Sequence, residues 1–201
     1  MATRTWTLPS RIPGYSEASE LLKTDAAATG TRLEDHRSHA AKLGPAQWQY
    51  PRAPHWSLED AFGETHSFDG DRERPLLVIN FLGMGCVHCM EQLQAVLPLT
   101  EEFQKAGIDI VAIGTQTPEQ LRVSIGTDPA KSGYPFPVLC DPSLAQFKDW
   151  HAYDDFAETA LHGTYLVDES GAVRWIDVSH LPFMDIEFLL EECSRLIGRA
   201  K

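Results

Sequence analysis

The strongest constraint on the fold of this chain is an almost unbroken apolar run over residues 76–82, which is bounded by a glycine. A run of this kind is typical of a strand that is buried on both faces. From Val87, apolar side chains recur at helical spacing as far as Phe103, and Gly107 marks the end of the expected helix. A second apolar run, residues 108–113, follows at once. A strand, a long helix and a strand in this order predict a right-handed βαβ unit with a parallel pair of strands.

The remainder of the domain continues to alternate between strands and helices. The predicted elements are a helix over residues 117–126 that opens with a capping box, a strand over 136–139, a helix over 141–150, a hairpin of strands 164–167 and 172–178, and a last helix that starts after Asp185. This order predicts one α/β domain whose central mixed sheet carries helices on both faces.

The first 50 residues have a different character. Residues 16–28 and 32–43 read as two short helices, and Gly44-Pro45 ends the second of them. We therefore expect a helical and extended arm over residues 1–50 and a domain over residues 51–201. The arm either wraps onto the domain or a second subunit, or is partly unfolded.

The composition excludes several classes of function. Lys and Arg number 17 and Asp and Glu 29, a formal net charge of −12, whereas proteins that bind duplex DNA or anionic membranes normally carry the opposite sign. The sequence contains no apolar stretch long enough to span a membrane and starts without the apolar run of a secretory signal. Four cysteines are too few for a disulfide-stapled secreted scaffold. We expect an acidic, cytoplasmic protein with no nucleic-acid or membrane partner.

Two of the four cysteines form the motif Cys86-Val-His-Cys89, directly after the first strand and at the mouth of the predicted helix. The unpaired N–H groups and the positive end of the helix dipole favour a thiolate there. Two intervening residues bring the second sulfur within reach of the first, so that a disulfide can close. His88, when protonated, adds a cation that favours the thiolate. This context predicts a redox-active dithiol.

Other interpretations of the cysteines compete with this one. A Cys-x-x-Cys pair is also half of a zinc site, but the other two cysteines stand alone at positions 140 and 193. Cys193 falls on the apolar stripe of the last helix and is expected in the core. Cys140 follows a short strand, so it is either a buried small side chain or a third redox thiol.

Several of these stretches together resemble a known family. Residues 77–93 are similar to the first strand, active-site turn and helix of the thioredoxin superfamily. Residues 134–142 and the hairpin from His162 to Trp175 resemble those of the peroxiredoxin-like redoxins, the AhpC/TSA group, and residues 54–60 resemble their domain entry. The resemblance covers roughly residues 52–198 and implies a thioredoxin-like fold.

The chain departs from the peroxidases of this group at their reactive motif, Pro-x-x-x-Thr/Ser-x-x-Cys. If Cys89 takes the place of the nucleophile, Cys86 stands at the Thr/Ser position and Leu82 at the proline. His162 replaces the second arginine, and a neutral imidazole is a weaker electrostatic partner than a guanidinium. These departures argue against efficient peroxide reduction.

The resemblance to thioredoxin-like oxidoreductases implies that Cys86 attacks and Cys89 resolves. Asn80 stands where thioredoxin has a buried acid, and His162 stands where related oxidoreductases have a cis-proline. Since the usual internal base is missing, His88 and His162 are expected to move protons at this site.

We therefore predict a thiol–disulfide oxidoreductase that cycles Cys86 and Cys89 between dithiol and disulfide. The alternatives are a thiol-dependent hydroperoxide reductase and a module that handles copper or zinc through the two sulfurs and an imidazole. The substrate is expected to be a disulfide or a peroxide. The chain has no nucleotide-binding glycine motif and is expected to need no cofactor, so a separate thiol reductant must supply electrons. Because peroxiredoxin-like folds often dimerise, the resemblance also implies a homodimer, for which the arm would be a natural exchange element.

Overall fold

The computed structural model describes residues 51–198. The arm predicted over residues 1–50 lies outside these residues. The arm and the expected homodimer therefore stay predictions. The strands are β1 (Trp56–Glu59), β2 (Thr65–Phe68), β3 (Leu76–Phe81), β4 (Asp109–Gly114), β5 (Val138–Cys140), β6 (Tyr153–Asp154), β7 (Thr159–Ala160), β8 (His162–Val167) and β9 (Val173–Ser179). The helices are α1 (Val87–Val96), α2 (Thr100–Lys105), α3 (Pro118–Ile125), α4 (Ala145–Asp149) and α5 (Ile186–Leu196), with 3₁₀ turns at Leu97–Leu99 and Pro129–Lys131.

The central sheet has five strands in the order β5-β4-β3-β8-β9. The strand β3 pairs in parallel with β4, and β4 pairs in parallel with β5. The strand β8 pairs antiparallel with both β3 and β9. The predicted parallel unit, the C-terminal hairpin and the mixed sheet are therefore confirmed. Two small antiparallel pairs, β1-β2 and β6-β7, were not predicted, because strands of two to four residues leave little periodicity in the sequence.

All six residues of β3 are buried, as its apolar run predicted. Alternate side chains of β3 enter two different clusters, because successive residues of a strand point to opposite faces. Leu77 and Ile79 join the cluster that α1 and α5 cover. Leu76 and Val78 join the cluster that contains α4 and the β1-β2 pair. The prediction of helices on both faces of the sheet is confirmed.

The prediction of a single long helix between the strands now labelled β3 and β4 is wrong. The structure has α1, a 3₁₀ turn at Leu97–Leu99 and α2 in its place. Pro98 lies in that turn, and proline has no N–H to donate and clashes with the preceding helical turn. The buried face of α1 also differs from the predicted apolar stripe. Val87, expected on that stripe, is 70% exposed, whereas the polar Gln92 is buried.

The capping box of the next helix is present as predicted: the Thr117 hydroxyl accepts from the Gln120 N–H, and the Gln120 side chain accepts from the Thr117 N–H. The short strand lies slightly later than expected, after Pro137. The helix predicted to start at Asp141 starts instead at Ala145, although the Asp141 carboxylate accepts hydrogen bonds from its first N–H groups. No helix between residues 51 and 198 is long and apolar enough to cross a lipid bilayer.

Candidate active site

Cys86 is the N-cap residue of α1. Its backbone is extended, and its Sγ accepts a hydrogen bond from the Cys89 N–H at 3.4 Å. The chain reaches this position through a turn in which Gly83 has a φ of +118° and its carbonyl accepts from the Cys86 N–H at 3.0 Å. Only glycine adopts such a φ without strain. The predicted strand–turn–helix geometry places a half-buried sulfur at the positive end of the helix dipole.

The turn before Cys86 is held by the loop that follows β4. The Thr115 hydroxyl donates to the Leu82 carbonyl oxygen at 2.8 Å, and the Gln116 side chain accepts from the Met84 N–H at 2.7 Å. Neither Thr115 nor Gln116 was singled out in the sequence. Their position directly after β4 is the signal that could have found them, because the carboxyl ends of neighbouring parallel strands share one edge of the sheet.

The structure brings together Cys86, Cys89 and His162. The Nε2 atom of His162 lies 3.2 Å from Cys89 Sγ and 3.7 Å from Cys86 Sγ. His162 is the first residue of β8, which neighbours β3 in the sheet, so its side chain reaches the site from the opposite side to the loop after β4. One imidazole nitrogen therefore faces both sulfurs.

Cys89 lies in a protected environment. It is fully buried, and its Sγ accepts a hydrogen bond from the Leu82 N–H at 3.2 Å. Burial, reinforced by the neighbouring Cys86 side chain, raises the pKa of the Cys89 thiol to about 12. Cys89 is therefore protonated at neutral pH and needs a base before it can act as a nucleophile.

His162 is a buried imidazole, 4% exposed. Burial lowers its pKa, an effect larger than the opposing one of the His180 and Ser179 backbone. A lowered pKa keeps the ring neutral at pH 7, with one nitrogen available as an acceptor. Asn80, which by the resemblance stands where thioredoxin has a buried acid, is fully buried, and neither polar atom of its side chain has a hydrogen-bond partner among the described residues.

His88 is oriented differently from His162. Its side chain is 60% exposed, and its Nδ1 lies 3.1 Å from Glu91 Oε2, one turn further along α1. Its charge is close enough to contribute to the lowered pKa of His162. The proton-handling role expected of His88 stays a prediction, because the structure shows its ring paired with Glu91 and does not place it against a sulfur.

The two remaining cysteines lie apart from this group. Cys193 is fully buried on α5, and burial raises the pKa of its thiol to about 12. Cys140 ends β5 and is 4% exposed, and burial, with the nearby negative charges of Asp60 and Glu59, raises its pKa to about 11. Buried thiols with raised pKa values are poor nucleophiles, which is consistent with two core side chains.

A metal would find three candidate ligands at the site. The sulfurs of Cys86 and Cys89 and a nitrogen of His162 all lie within 4.8 Å of one another. Two thiolates and an imidazole are a donor set that suits soft ions such as Cu(I) or Zn²⁺. The same three atoms are also the minimum set for dithiol chemistry with an internal base, so the geometry alone does not separate the two functions.

Comparison with known proteins separates them. Residues 51–176, more than half of the chain, match the model of the AhpC/TSA family. The chain is 28% identical to a putative peroxiredoxin of Mycobacterium tuberculosis over 128 residues, which are 61% of this chain and 79% of that protein. It is 24% identical to the thiol-disulfide oxidoreductase ResA of Geobacillus thermodenitrificans over 139 residues, 69% of this chain and 74% of the relative.

A solved structure shows the same fold. The crystal structure of the peroxidoxin BcpB from Mycobacterium tuberculosis matches with a TM-score of 0.63 at 13% identity, covering 74% of this chain and 96% of the other. The chain belongs to the AhpC/TSA family and has its thioredoxin fold, with a Cys-x-x-Cys pair at the helix mouth. It is a peroxiredoxin-like oxidoreductase, and this relationship favours redox chemistry over the metal-handling alternative.

Proposed function

We propose that this protein exchanges thiols and disulfides, with Cys86 as the attacking nucleophile, Cys89 as the resolving thiol and His162 as the base. The observation that carries the proposal is the position of His162 Nε2, which lies 3.2 Å from the buried Cys89 sulfur and 3.7 Å from the Cys86 sulfur. A neutral imidazole at hydrogen-bond distance from a thiol is the arrangement that general-base catalysis requires.

The environments of the two sulfurs support this order of action. Cys86 is half-buried at the N-terminus of α1, where a substrate can reach its sulfur and helix N–H groups stabilise a thiolate. Cys89 is fully buried and protonated, so it meets a substrate only after Cys86 has bound it. A resolving thiol needs this combination of closeness to the first sulfur and protection from other reagents.

The reaction proceeds in two steps. The Cys86 thiolate attacks one sulfur of a substrate disulfide, forming a mixed disulfide and releasing the first substrate thiolate. His162 Nε2 then takes the proton of Cys89, whose thiolate attacks the Cys86 sulfur, closes the Cys86–Cys89 disulfide and releases the second thiolate. The substrate gains two electrons and the protein loses two, and a separate thiol reductant restores the dithiol.

The tautomer of His162 fits this role. The Nδ1 atom is buried and has no hydrogen-bond partner within residues 51–198, whereas Nε2 faces both sulfurs. In the neutral tautomer that carries its proton on Nδ1, Nε2 is the acceptor that can take the proton of Cys89. Protonation of Nε2 by Cys89 creates an imidazolium that can return the proton to the leaving thiolate.

A second candidate is hydroperoxide reduction, which is supported by the peroxiredoxin names of the relatives. In this case Cys86 attacks the peroxide, the O–O bond breaks, and the products are a sulfenic acid and an alcohol. Cys89 then forms the same disulfide and releases water. The family resemblance implies that His162 stands in place of an arginine, which would leave the site with a weaker electrostatic partner for the O–O bond.

The paired serine variants test the assignment. Cys89→Ser is expected to accumulate a stable mixed disulfide on Cys86, and Cys86→Ser is expected to form none, as measured by intact mass after reaction with a protein disulfide. Cys193→Ser, at a buried thiol outside the site, is the matched control and should behave as wild type. Trapping on Cys89 would contradict the proposal. Faster oxidation by hydroperoxide than by a protein disulfide would assign the peroxidase function instead.

We also propose a reducing compartment, such as the cytoplasm, as the working location. The support is the low cysteine number and the need for a thiol reductant that regenerates Cys86 and Cys89. Trapping free thiols with an alkylating reagent in intact cells would detect a mainly reduced pair in such a compartment, and a mainly oxidised pair would contradict it.

A further inference from the structure

Gln92 is a buried polar residue in the middle of the helix that carries the two cysteines, and it is 1% exposed. Its Nε2 donates one hydrogen bond to Thr164 Oγ1 at 3.1 Å and another to the Phe183 carbonyl oxygen at 3.0 Å. The amide orientation follows from these partners, since a backbone carbonyl can only accept. Gln92 therefore ties α1 to β8 and to the segment before α5 at one point.

The contact between Gln92 and Thr164 runs alongside the contact between Cys89 and His162. Cys89 and Gln92 are three residues apart on α1, a rise of about 4.5 Å along the helix axis. His162 and Thr164 are two residues apart on β8 and point to the same face of the sheet, about 6.7 Å apart along the strand. The helix and the strand are thus joined by two successive pairs of side chains, one reactive and one inert.

We propose that Gln92 and Thr164 are positioning residues that fix α1 on β8 so that the Cys89 sulfur stays within reach of His162 Nε2. This inference rests on the proposed role of His162 as the base for Cys89. Neither residue touches a reacting atom. A shift of α1 by about 1 Å would lengthen the 3.2 Å contact beyond hydrogen-bond distance, and misplacement on this scale slows reactions by up to about a hundredfold.

The Gln92–Thr164 contact specifies position in a way that apolar neighbours do not. Leu93 and Val96 bury α1 against the sheet, but apolar packing is non-directional and tolerates small slides of one surface over another. A hydrogen bond weakens steeply when its distance or angle changes. The buried pair therefore selects one register of the helix on the strand, and the base–thiol distance follows from that register.

The test separates the two chemical steps with an aromatic disulfide whose released thiol absorbs visible light. One equivalent appears when Cys86 attacks, and a second appears when Cys89 resolves the mixed disulfide. Thr164→Val removes the hydroxyl and keeps the volume. It is expected to leave the first phase within about twofold of wild type and to slow the second by at least about tenfold. Thr164→Ser, which retains the hydroxyl, is expected to recover most of the second phase.

The pH profile distinguishes positioning from loss of stability. In Thr164→Val the second phase should rise with pH above neutrality, because Cys89 then depends on solvent hydroxide. Thr100→Val is the matched control: Thr100 is also buried, and its hydroxyl donates to the Val96 carbonyl on α1, outside the reactive pair. Any loss of stability in this control should leave the wild-type second phase and its pH profile unchanged.

The proposal is overturned if Thr164→Val resolves the mixed disulfide as fast as wild type, or if Thr164→Val and Thr164→Ser slow it equally. If Thr164→Val is recovered only unfolded, Gln92→Met, which keeps length and removes the donors, carries the same expectations. If the proposed function itself is wrong, the outcome is distinguishable, because the wild type then releases no second equivalent of the aromatic thiol.

Discussion

At the scale of single residues, the character of the site depends on His162. Burial lowers the pKa of the imidazole below its ordinary value, so the ring is neutral at pH 7. The same burial raises the pKa of the Cys89 thiol to about 12. One desolvated pocket thus holds a neutral imidazole and a neutral thiol side by side, which is the pairing that the proposed proton transfer from Cys89 to His162 needs.

The pH dependence of resolution follows from these two shifts. Because the folded-state pKa of His162 lies below its ordinary value of about 6.5, the resolving rate should stay constant above that pH and fall only in more acidic solution. His162→Gln is expected to resolve about a hundredfold more slowly at pH 7 and to gain rate steadily with rising pH. Stopped-flow measurement of the second thiol release between pH 5 and pH 9, a range chosen about these values, checks both expectations.

The exposed His55 provides the matched control for that experiment. His55→Gln makes the same chemical change away from the sulfurs and should reproduce the wild-type profile. A His162→Gln profile that is as flat as that of wild type would contradict the role of His162. His88→Ala examines the separate sequence-based expectation that His88 favours the Cys86 thiolate, and an unchanged alkylation profile of Cys86 would refute it.

At the scale of elements, short helices in this protein depend on side chains that satisfy their first N–H groups. Asp141 is the clearest case, since it is 1% exposed and accepts from the N–H groups of Ala145, Gln146 and Phe147 at 2.8–3.3 Å. A helix of five residues has few hydrogen bonds of its own, so this carboxylate both starts α4 and fixes its direction.

Replacing this carboxylate should therefore destabilise the protein without changing its chemistry. Asp141→Ala leaves the N–H groups of α4 unsatisfied and is expected to lower the free energy of unfolding by about 3 kcal/mol in urea titrations. Asp141→Asn keeps one acceptor oxygen and should lose less. Because α4 packs in the cluster on the other face of the sheet from α1, both variants should retain wild-type rates of thiol release below the unfolding transition. A loss below about 1 kcal/mol in Asp141→Ala would contradict this account.

At the scale of the whole molecule, burial of three thiols couples stability to alkaline pH. Cys89, Cys140 and Cys193 have pKa values raised to about 12, 11 and 12 because the folded chain excludes water from their sulfurs. In the unfolded chain the same thiols ionise near pH 8.5. The protonated thiols therefore make their full contribution to the free energy of unfolding below about pH 8.5. This contribution is lost progressively as the pH rises towards the folded-state pKa values.

Each buried thiol should lower the free energy of unfolding by about 1.4 kcal/mol for every pH unit above about 8.5. Cys193→Ala removes one of them from a helix outside the site and should reduce the slope of stability against pH by that amount. Urea unfolding of reduced protein at pH values of about 8.5 to 10 measures the slope. The variant also leaves a cavity, which lowers stability equally at all pH values, so an unchanged slope would contradict the prediction.

Much of this molecule could be predicted from its sequence, because the deciding interactions are local. The apolar runs of β3 and β4 predict buried strands, and Cys86 and Cys89 fall at the start of a helix by their position after one of them. The capping box of α3 involves residues three positions apart, so it too can be read directly. Fold class and the Cys-x-x-Cys pair at the helix mouth are therefore properties of short segments of the chain.

Only the tertiary structure decided which side chains surround the sulfurs. His162 was expected at the site through the family resemblance, but its position within 3.7 Å of both sulfurs comes from the pairing of β3 with β8, whose paired residues are 83 to 91 positions apart in the chain. Gln92 interrupts an apolar stripe and gives no sign in the sequence that Thr164 and Phe183 satisfy it. Contacts between distant segments depend on the register of the paired strands and on the position at which a helix packs against them. Hydrophobic periodicity along the sequence carries no information about either.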